Sequence, residues 1–167
     1  MTRQLTDDRS GALEPATASM TLLVAAVIVH DTATDRVVLL QRGENAKFGQ
    51  GLWDLPAGKS DPGEPVTATA VRELREETGL IVAPGALELA QVVHGAWGVE
   101  SPGGFLTVVF VARSWEGELR NCEPEKHSRV CLADTAALPS AFVPSTARAL
   151  RRYLDGEGPR ALLHGWD

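Results

Sequence analysis

The sequence predicts a mixed fold of the α/β or α+β class, a mixed β-sheet with two helices. Three observations predict it. Apolar, β-branched runs of strand length recur along the chain. Two segments instead space their apolar residues at the helical period. Glycine and proline clusters separate these stretches. The 167 residues suit one domain with one core.

In chain order, residues 1–19 are rich in Thr, Asp, Ser and Ala, contain Pro15 and lack apolar periodicity, which predicts a flexible tail. TLLVAAVIVH (residues 21–30) reads as a strand, residues 31–35 as a turn, and RVVLLQR (36–42) as a second strand, so the pair predicts a hairpin. GENAKFGQG (43–51) is a loop, and WDLP (53–56) is short and extended. Residues 65–78 carry Val66, Ala70, Val71 and Leu74 at helical spacing, with Pro65 suited to the first helical position and Gly79 to a left-handed C-cap. LELAQVVHGAW (87–97) and FLTVVFVARSW (105–115) read as strands joined by the turn GVESPGG, and SRVCLA (128–133) as another strand. STARALRRYL (145–154) is an amphipathic helix with Ala147, Leu150 and Leu154 on one face and Ser145 or Thr146 as its cap. Residues 156–167, with Gly156, Gly158 and Pro159, predict a loose C-terminal tail, leaving residues 20–155 as the domain.

Composition excludes several functions. The net charge of −6 argues against binding a nucleic acid polymer or an anionic membrane surface, which need a basic face. The longest apolar stretch, residues 22–29, is too short to span a bilayer, and Asp7, Asp8 and Glu14 stand where a signal peptide would be apolar. Cys122 and Cys131 fit no zinc spacing and read as reduced thiols. Together these features predict a cytoplasmic protein.

The segment GKSDPGEPVTATAVRELREETGL (58–80) is the most informative. Glu73 faces Glu76 and Glu77 at spacings of three and four, and each such like-charged pair costs roughly 0.2–0.5 kcal/mol. These carboxylates also lie near the helix C-terminus, where the macrodipole disfavours them. A solvated surface helix is the plain reading of a charge run. The functional reading is a cation site, whose all-oxygen ligands suit Mg²⁺ or Mn²⁺ rather than zinc and work together with substrate phosphates.

Gly58, Glu64, Arg72, Glu73, Leu74, Glu76, Glu77, Gly79 and Leu80 together match the Nudix box, and residues 20–155 resemble that family. The resemblance implies an αβα sandwich, with a mixed sheet between helices, and hydrolysis of a nucleoside diphosphate linked to another group. It also implies roles. Glu76 and Glu77 would be the main metal ligands, and Glu73 a further ligand or the base that activates water. Arg72 would orient Glu73, Glu64 would brace the loop and helix, and the Gly58 carbonyl would add a ligand.

WEGELRNCEPEK (115–126) resembles a segment of MutT-like nucleoside triphosphate pyrophosphatases, which places Glu123 as a metal ligand outside the box and Lys126 against phosphate. LPSAFVPS (138–145) matches a stretch lining the base pocket. Where the oxidised-guanine antimutator of the family has an asparagine that reads the base, this chain has Phe142, which stacks on any base without reading its edge. PAGK, with Ala57, replaces the commoner PGGK. Trp53 and Trp97 are further stacking candidates, although such tryptophans are more often half-buried core. His94 and His127 read as satisfied structural histidines. No signature for NADH, coenzyme A or ADP-ribose substrates follows the box.

The leading expectation is a Mg²⁺-dependent pyrophosphatase acting on a (deoxy)nucleoside triphosphate, damaged or non-standard forms included, and releasing the monophosphate. The alternatives are hydrolysis of another diphosphate derivative such as a nucleotide sugar, and a non-catalytic nucleotide sensor. The intact box disfavours the sensor. Relatives that pair leave a homodimer as an expectation by analogy.

Overall fold

The computed structural model describes residues 16–96 and 99–166. The predicted N-terminal tail lies outside them up to residue 15, and so does Trp97. Eight strands and two α-helices follow in the order β1 (Leu22–Asp31), β2 (Arg36–Arg42), β3 (Trp53–Asp54), β4 (Ala57–Lys59), α1 (Val66–Thr78), β5 (Glu88–Gly95), β6 (Phe105–Ala112), β7 (His127–Asp134), α2 (Pro144–Leu154) and β8 (Ala161–His164). The strands join in one mixed sheet in the order β3-β2-β1-β6-β5-β8, with β4 added to β1 and β7 to β2. β1 runs parallel to β6 and β5 parallel to β8.

Strand alternation builds the two layers of core. On β1, Ala25, Val27 and Val29 join Ala70 and Leu74 of α1, while Ala26 and Ile28 join Ala147 and Leu150 of α2. β6 divides the same way, with Phe110 and Ala112 toward α1 and Val109 and Val111 toward α2. Strands covered by helices on both faces read as continuous apolar runs, and these do. The mixed α+β architecture predicted above, a sheet between two helices, is therefore what the chain adopts. Burying a side chain such as Leu74 stabilises by about 1.5–3 kcal/mol. Among the described residues no helix is long and apolar enough to cross a membrane.

Four local expectations are corrected. The predicted hairpin is confined to its turn: β1 pairs with β2 only at His30↔Val37 and Asp31↔Arg36, after which β1 turns to β4 and β6, and β2 to β3 and β7. Pro65 occupies the N-cap and not the first helical position, because its φ of −62° is helical but its ψ of 140° is extended. Helix α2 has no side-chain cap; Pro144 opens it without an N–H to satisfy, and the Thr146 hydroxyl donates instead to Asp54 Oδ1 at 2.6 Å. The expected loose C-terminal segment forms β8, because Leu162 finds a place in the core and the open edge of β5 takes a partner. The Gln91 side chain fixes the approach, donating to the Gly158 carbonyl at 3.2 Å and accepting from the Arg160 N–H at 3.2 Å.

Candidate functional site

Helix α1 and the turn before it form one electrostatic unit. Glu64 holds Arg72 through two bonds, Nε to Oε1 at 2.8 Å and Nη2 to Oε2 at 3.0 Å. It also accepts from the Asp61 N–H at 3.0 Å and the Thr69 hydroxyl at 2.7 Å. Arg72 Nη2 donates to the Lys59 carbonyl at 3.0 Å, which ties β4 to the helix. These donors hold the Glu64 carboxyl down at about 2, the Arg72 guanidinium contributing most. Arg72 Nη1 then reaches Glu73 at 2.6 Å and Glu76 at 3.3 Å.

The three box glutamates have different surroundings. Glu76 is half exposed and faces Arg72. Glu73 packs into the space that Gly58 leaves open, since a Cβ on Gly58 would overlap its carboxylate. Burial, then the nearby Glu76 and Glu123, push the Glu73 carboxyl up against the pull of Arg72. Glu77 lies three residues beyond Leu74, continues the helix's inner face, and is 6% exposed. It accepts from the Ala57 N–H at 2.9 Å. Burial, and then repulsion from Glu73 and Glu123, raise the Glu77 carboxyl well above the ordinary range.

Glu123 arrives by way of the helix C-terminus. Gly79 takes a φ of 76° and ends α1. The chain after β6 then supplies donors to the last carbonyls, from the Arg120 N–H to Thr78 at 2.9 Å and from the Cys122 N–H to Glu77 at 3.1 Å. Asn121 fixes the next turn, accepting from the Glu123 N–H at 3.2 Å and donating to the His127 carbonyl at 2.7 Å. The His127 N–H closes that turn on the Glu123 carbonyl at 2.9 Å, so Glu123 and His127 stand one turn apart on the same side. Lys126 Nζ donates to Glu123 at 2.7 Å.

One ligand atom from each of Glu77, Glu123 and His127 lies within 4.8 Å of the others. His127, next to the EPEK segment, was expected to be a satisfied structural residue. It is instead 6% exposed, with Nε2 3.6 Å from Glu77 Oε1 and a buried Nδ1 without a partner among the described residues. Burial, above all, lowers its basicity. The four-residue spacing of Glu123 and His127 was the available signal, and it becomes informative only once the EPEK segment is known to be a helical turn. Among the described residues no lysine or arginine pairs with Glu77. A buried carboxylate with two further carboxylates close by and an imidazole whose Nδ1 has no partner among the described residues is a donor set that fits a divalent cation.

The expected substrate residues divide. Trp53 and Phe142 are neighbours, joined by the Trp53 N–H to Ala141 carbonyl bond at 2.8 Å and the Val143 N–H to Trp53 carbonyl bond at 2.9 Å. Phe142 is only 7% exposed, and its ring packs in the core layer that α2 covers. Trp53 is half-buried, with the Arg129 guanidinium 5.5 Å from its ring centre. Phe48, in a stretch read above only as a loop, is 56% exposed, and the Arg42 guanidinium lies 4.0 Å from its ring centre. That loop borders the carboxylate site, since the Gly43 N–H donates to the Lys126 carbonyl at 2.8 Å and Arg42 Nη1 reaches Asp54 at 3.3 Å. A cleft of about 640 Å³ lined by His30, Asp35, Arg113 and Tyr153 lies toward the other end of β2 and contains none of the box residues.

A family model described as NUDIX domain matches residues 20–153. Among curated proteins, the chain is 31% identical over 132 residues to the Nudix hydrolase YvcI of Bacillus subtilis, covering 78% of this chain and 77% of that protein. It is 31% identical over 113 residues to the 8-oxo-dGDP phosphatase NUDT18 of Homo sapiens, covering 68% of this chain and 29% of that protein. The chain thus spans about a third of the length of NUDT18. Among solved structures, a MutT Nudix hydrolase from Burkholderia pseudomallei superposes with a TM-score of 0.68 at 26% identity, over 79% of this chain and 97% of that one. A Nudix hydrolase from Nitrosomonas europaea has the same fold, with a TM-score of 0.72 at 18% identity over 86% and 78%. Sequence motif, fold and family match coincide: the chain belongs to the Nudix family, whose hydrolases act on pyrophosphate bonds of nucleotides.

Proposed function

We propose that the protein hydrolyses a (deoxy)nucleoside triphosphate to the monophosphate and pyrophosphate, with Mg²⁺ or Mn²⁺ as its metal. The observation that carries this reading is the buried Glu77 carboxylate, close to Glu123 and His127 and, among the described residues, not ion-paired to a lysine or arginine. Glu77 and Glu123 would hold the ion, with Glu73 acting electrostatically on both, and with Glu76 and the Gly58 carbonyl as the further donors that the box implies. When bound, the ion neutralises phosphate charge and stabilises the developing charge on the bridging oxygen.

The chain's own groups do the positioning. Glu64 fixes Arg72, and Arg72 fixes Glu73 against Gly58. Glu73, with its carboxyl raised by burial, is placed to accept a proton from water. Lys126, largely exposed beside Glu123, is placed to meet a phosphate oxygen. Phe48 offers an open aromatic face at the rim on which a base can stack, with the Arg42 guanidinium against its ring. The asymmetry suits a substrate whose phosphates are bound strictly and whose base is read loosely.

A second reading, a nucleoside diphosphate cleaved to monophosphate and phosphate, is favoured by the likeness to NUDT18, which is described as an 8-oxo-dGDP phosphatase. The deciding experiment measures pyrophosphate and phosphate release from matched triphosphates, diphosphates and nucleotide sugars, with Mg²⁺ and with EDTA. Metal-dependent pyrophosphate release from triphosphates supports the first reading. Phosphate release from diphosphates alone supports the second. No turnover of any of them removes the hydrolase assignment.

A further inference from the structure

His127 occupies a place that the proposed chemistry leaves without a task. It is 94% buried by residue, the complement of its 6% exposure, yet its Nδ1 has no partner among the described residues. Its Nε2 lies 3.6 Å from Glu77 Oε1, longer than a hydrogen bond. Proteins rarely bury an imidazole that neither bonds nor packs as an apolar group. Its backbone is fixed from three sides. Its N–H is bound to the Glu123 carbonyl at 2.9 Å, its own carbonyl accepts from Asn121 at 2.7 Å, and the adjacent Lys126 carbonyl accepts from Gly43 at 2.8 Å. The ring is therefore held beside the carboxylates by the same turn that presents Glu123. Two ligands on opposite sides of one ion, each about 2.0–2.3 Å from it, stand roughly 4–4.6 Å apart, which is the scale of this group.

We infer that His127 supplies a nitrogen ligand to the divalent ion held by Glu77 and Glu123, so that this centre binds transition ions in preference to Mg²⁺. The inference rests on the metal site proposed above and adds a donor whose chemistry differs. Carboxylates suit Mg²⁺ and Mn²⁺, whereas imidazole favours the later first-row ions. Nδ1 has no acceptor among the described residues, so the ring lacks the outer hydrogen bond that raises the basicity of a ligand imidazole. The preference should accordingly be moderate, and a centre that works with Mg²⁺ will take up Co²⁺ or Zn²⁺ more tightly.

The test is direct binding, by calorimetry, of Co²⁺ and of Mg²⁺ to the full chain and to His127→Gln, which keeps size and polarity but offers oxygen in place of nitrogen. Co²⁺ affinity is expected to fall by about tenfold or more, and Mg²⁺ affinity by less than about threefold. Equal losses for both ions, or no loss of Co²⁺ binding, would overturn the nitrogen ligand and leave the carboxylate site standing. Failure of the unsubstituted chain to bind either ion would overturn the metal centre itself. A measurement without substitution guards against a variant that misfolds: pulsed electron paramagnetic resonance of the Mn²⁺-loaded chain should show coupling to one imidazole nitrogen, and its absence would overturn the inference.

Discussion

At Gly58 the lack of a side chain is a requirement of the site and not of the turn. A Cβ there would overlap the Glu73 carboxylate, the far end of a flexible side chain that can swing away at little cost. Gly58→Ala should therefore leave the melting temperature within a few degrees of the parent while lowering kcat by about 10²-fold, the penalty of a displaced reacting group. Steady-state rates and thermal melts on one preparation check both halves. Glu77 predicts the opposite kind of result. Its buried carboxylate faces other carboxylates, has no lysine or arginine ion-pair partner among the described residues, and its one described bond, from the Ala57 N–H, could equally end on an amide oxygen. Glu77→Gln should abolish metal-dependent turnover yet raise the melting temperature in EDTA. A variant destabilised in EDTA would mean that Glu77 is a structural acceptor and not a ligand awaiting a cation.

At the scale of elements, helix α1 with its preceding turn sets the response to pH. Glu64, held down to about 2 by Arg72, stabilises the fold above the ordinary glutamate value of 4.5, and that contribution is lost as pH falls toward 2. Glu77 is raised, so its contribution has the other sign: full below 4.5 and lost as pH rises through its elevated value. Metal-free protein should thus lose stability on both sides, and saturating Mg²⁺ should remove the loss on the alkaline side only. Melting curves from pH 3 to 8 with EDTA or Mg²⁺ report this directly. The loop 43–52 carries a separate prediction. Phe48→Ala should raise KM by about tenfold with kcat nearly unchanged, in line with the 1–3 kcal/mol of a base–aromatic stack, and Phe48→Trp should restore it. The helix and its carboxylates were legible in sequence because Pro65, the period of Ala70 and Leu74, and Gly79 are local signals. His127 was not, because its approach to Glu77 depends on a turn built by Asn121 and on the chain between β6 and β7 capping α1. Phe142 was read as a stacking residue because its place in the motif says nothing of the core that covers it.

The whole molecule separates stability from chemistry across the sheet. In the order β3-β2-β1-β6-β5-β8 the carboxylate site gathers around β2, β4 and β7, while β8 forms the far edge. Local signals at Gly156, Gly158 and Pro159 read as a tail; pairing with β5, some seventy residues earlier in the chain, overrode them. Leu162 is 4% exposed and joins the layer under α2, and Trp166 Nε1 donates to the His94 carbonyl at 2.8 Å. Leu162→Ala should therefore cost about 2–4 kcal/mol, as buried Leu→Ala changes do. For a chain of this size that lowers the melting temperature by roughly 4–15 °C. Because the layer facing α2 is distinct from the layer facing α1, kcat and Mg²⁺ affinity at 20 °C should stay within about twofold of the parent, as expected for distant sites that do not couple. A fall in kcat matching the fall in stability would instead mean that the two layers move together, and that α1 holds its glutamates in place only while the α2 side of the sheet is fully packed.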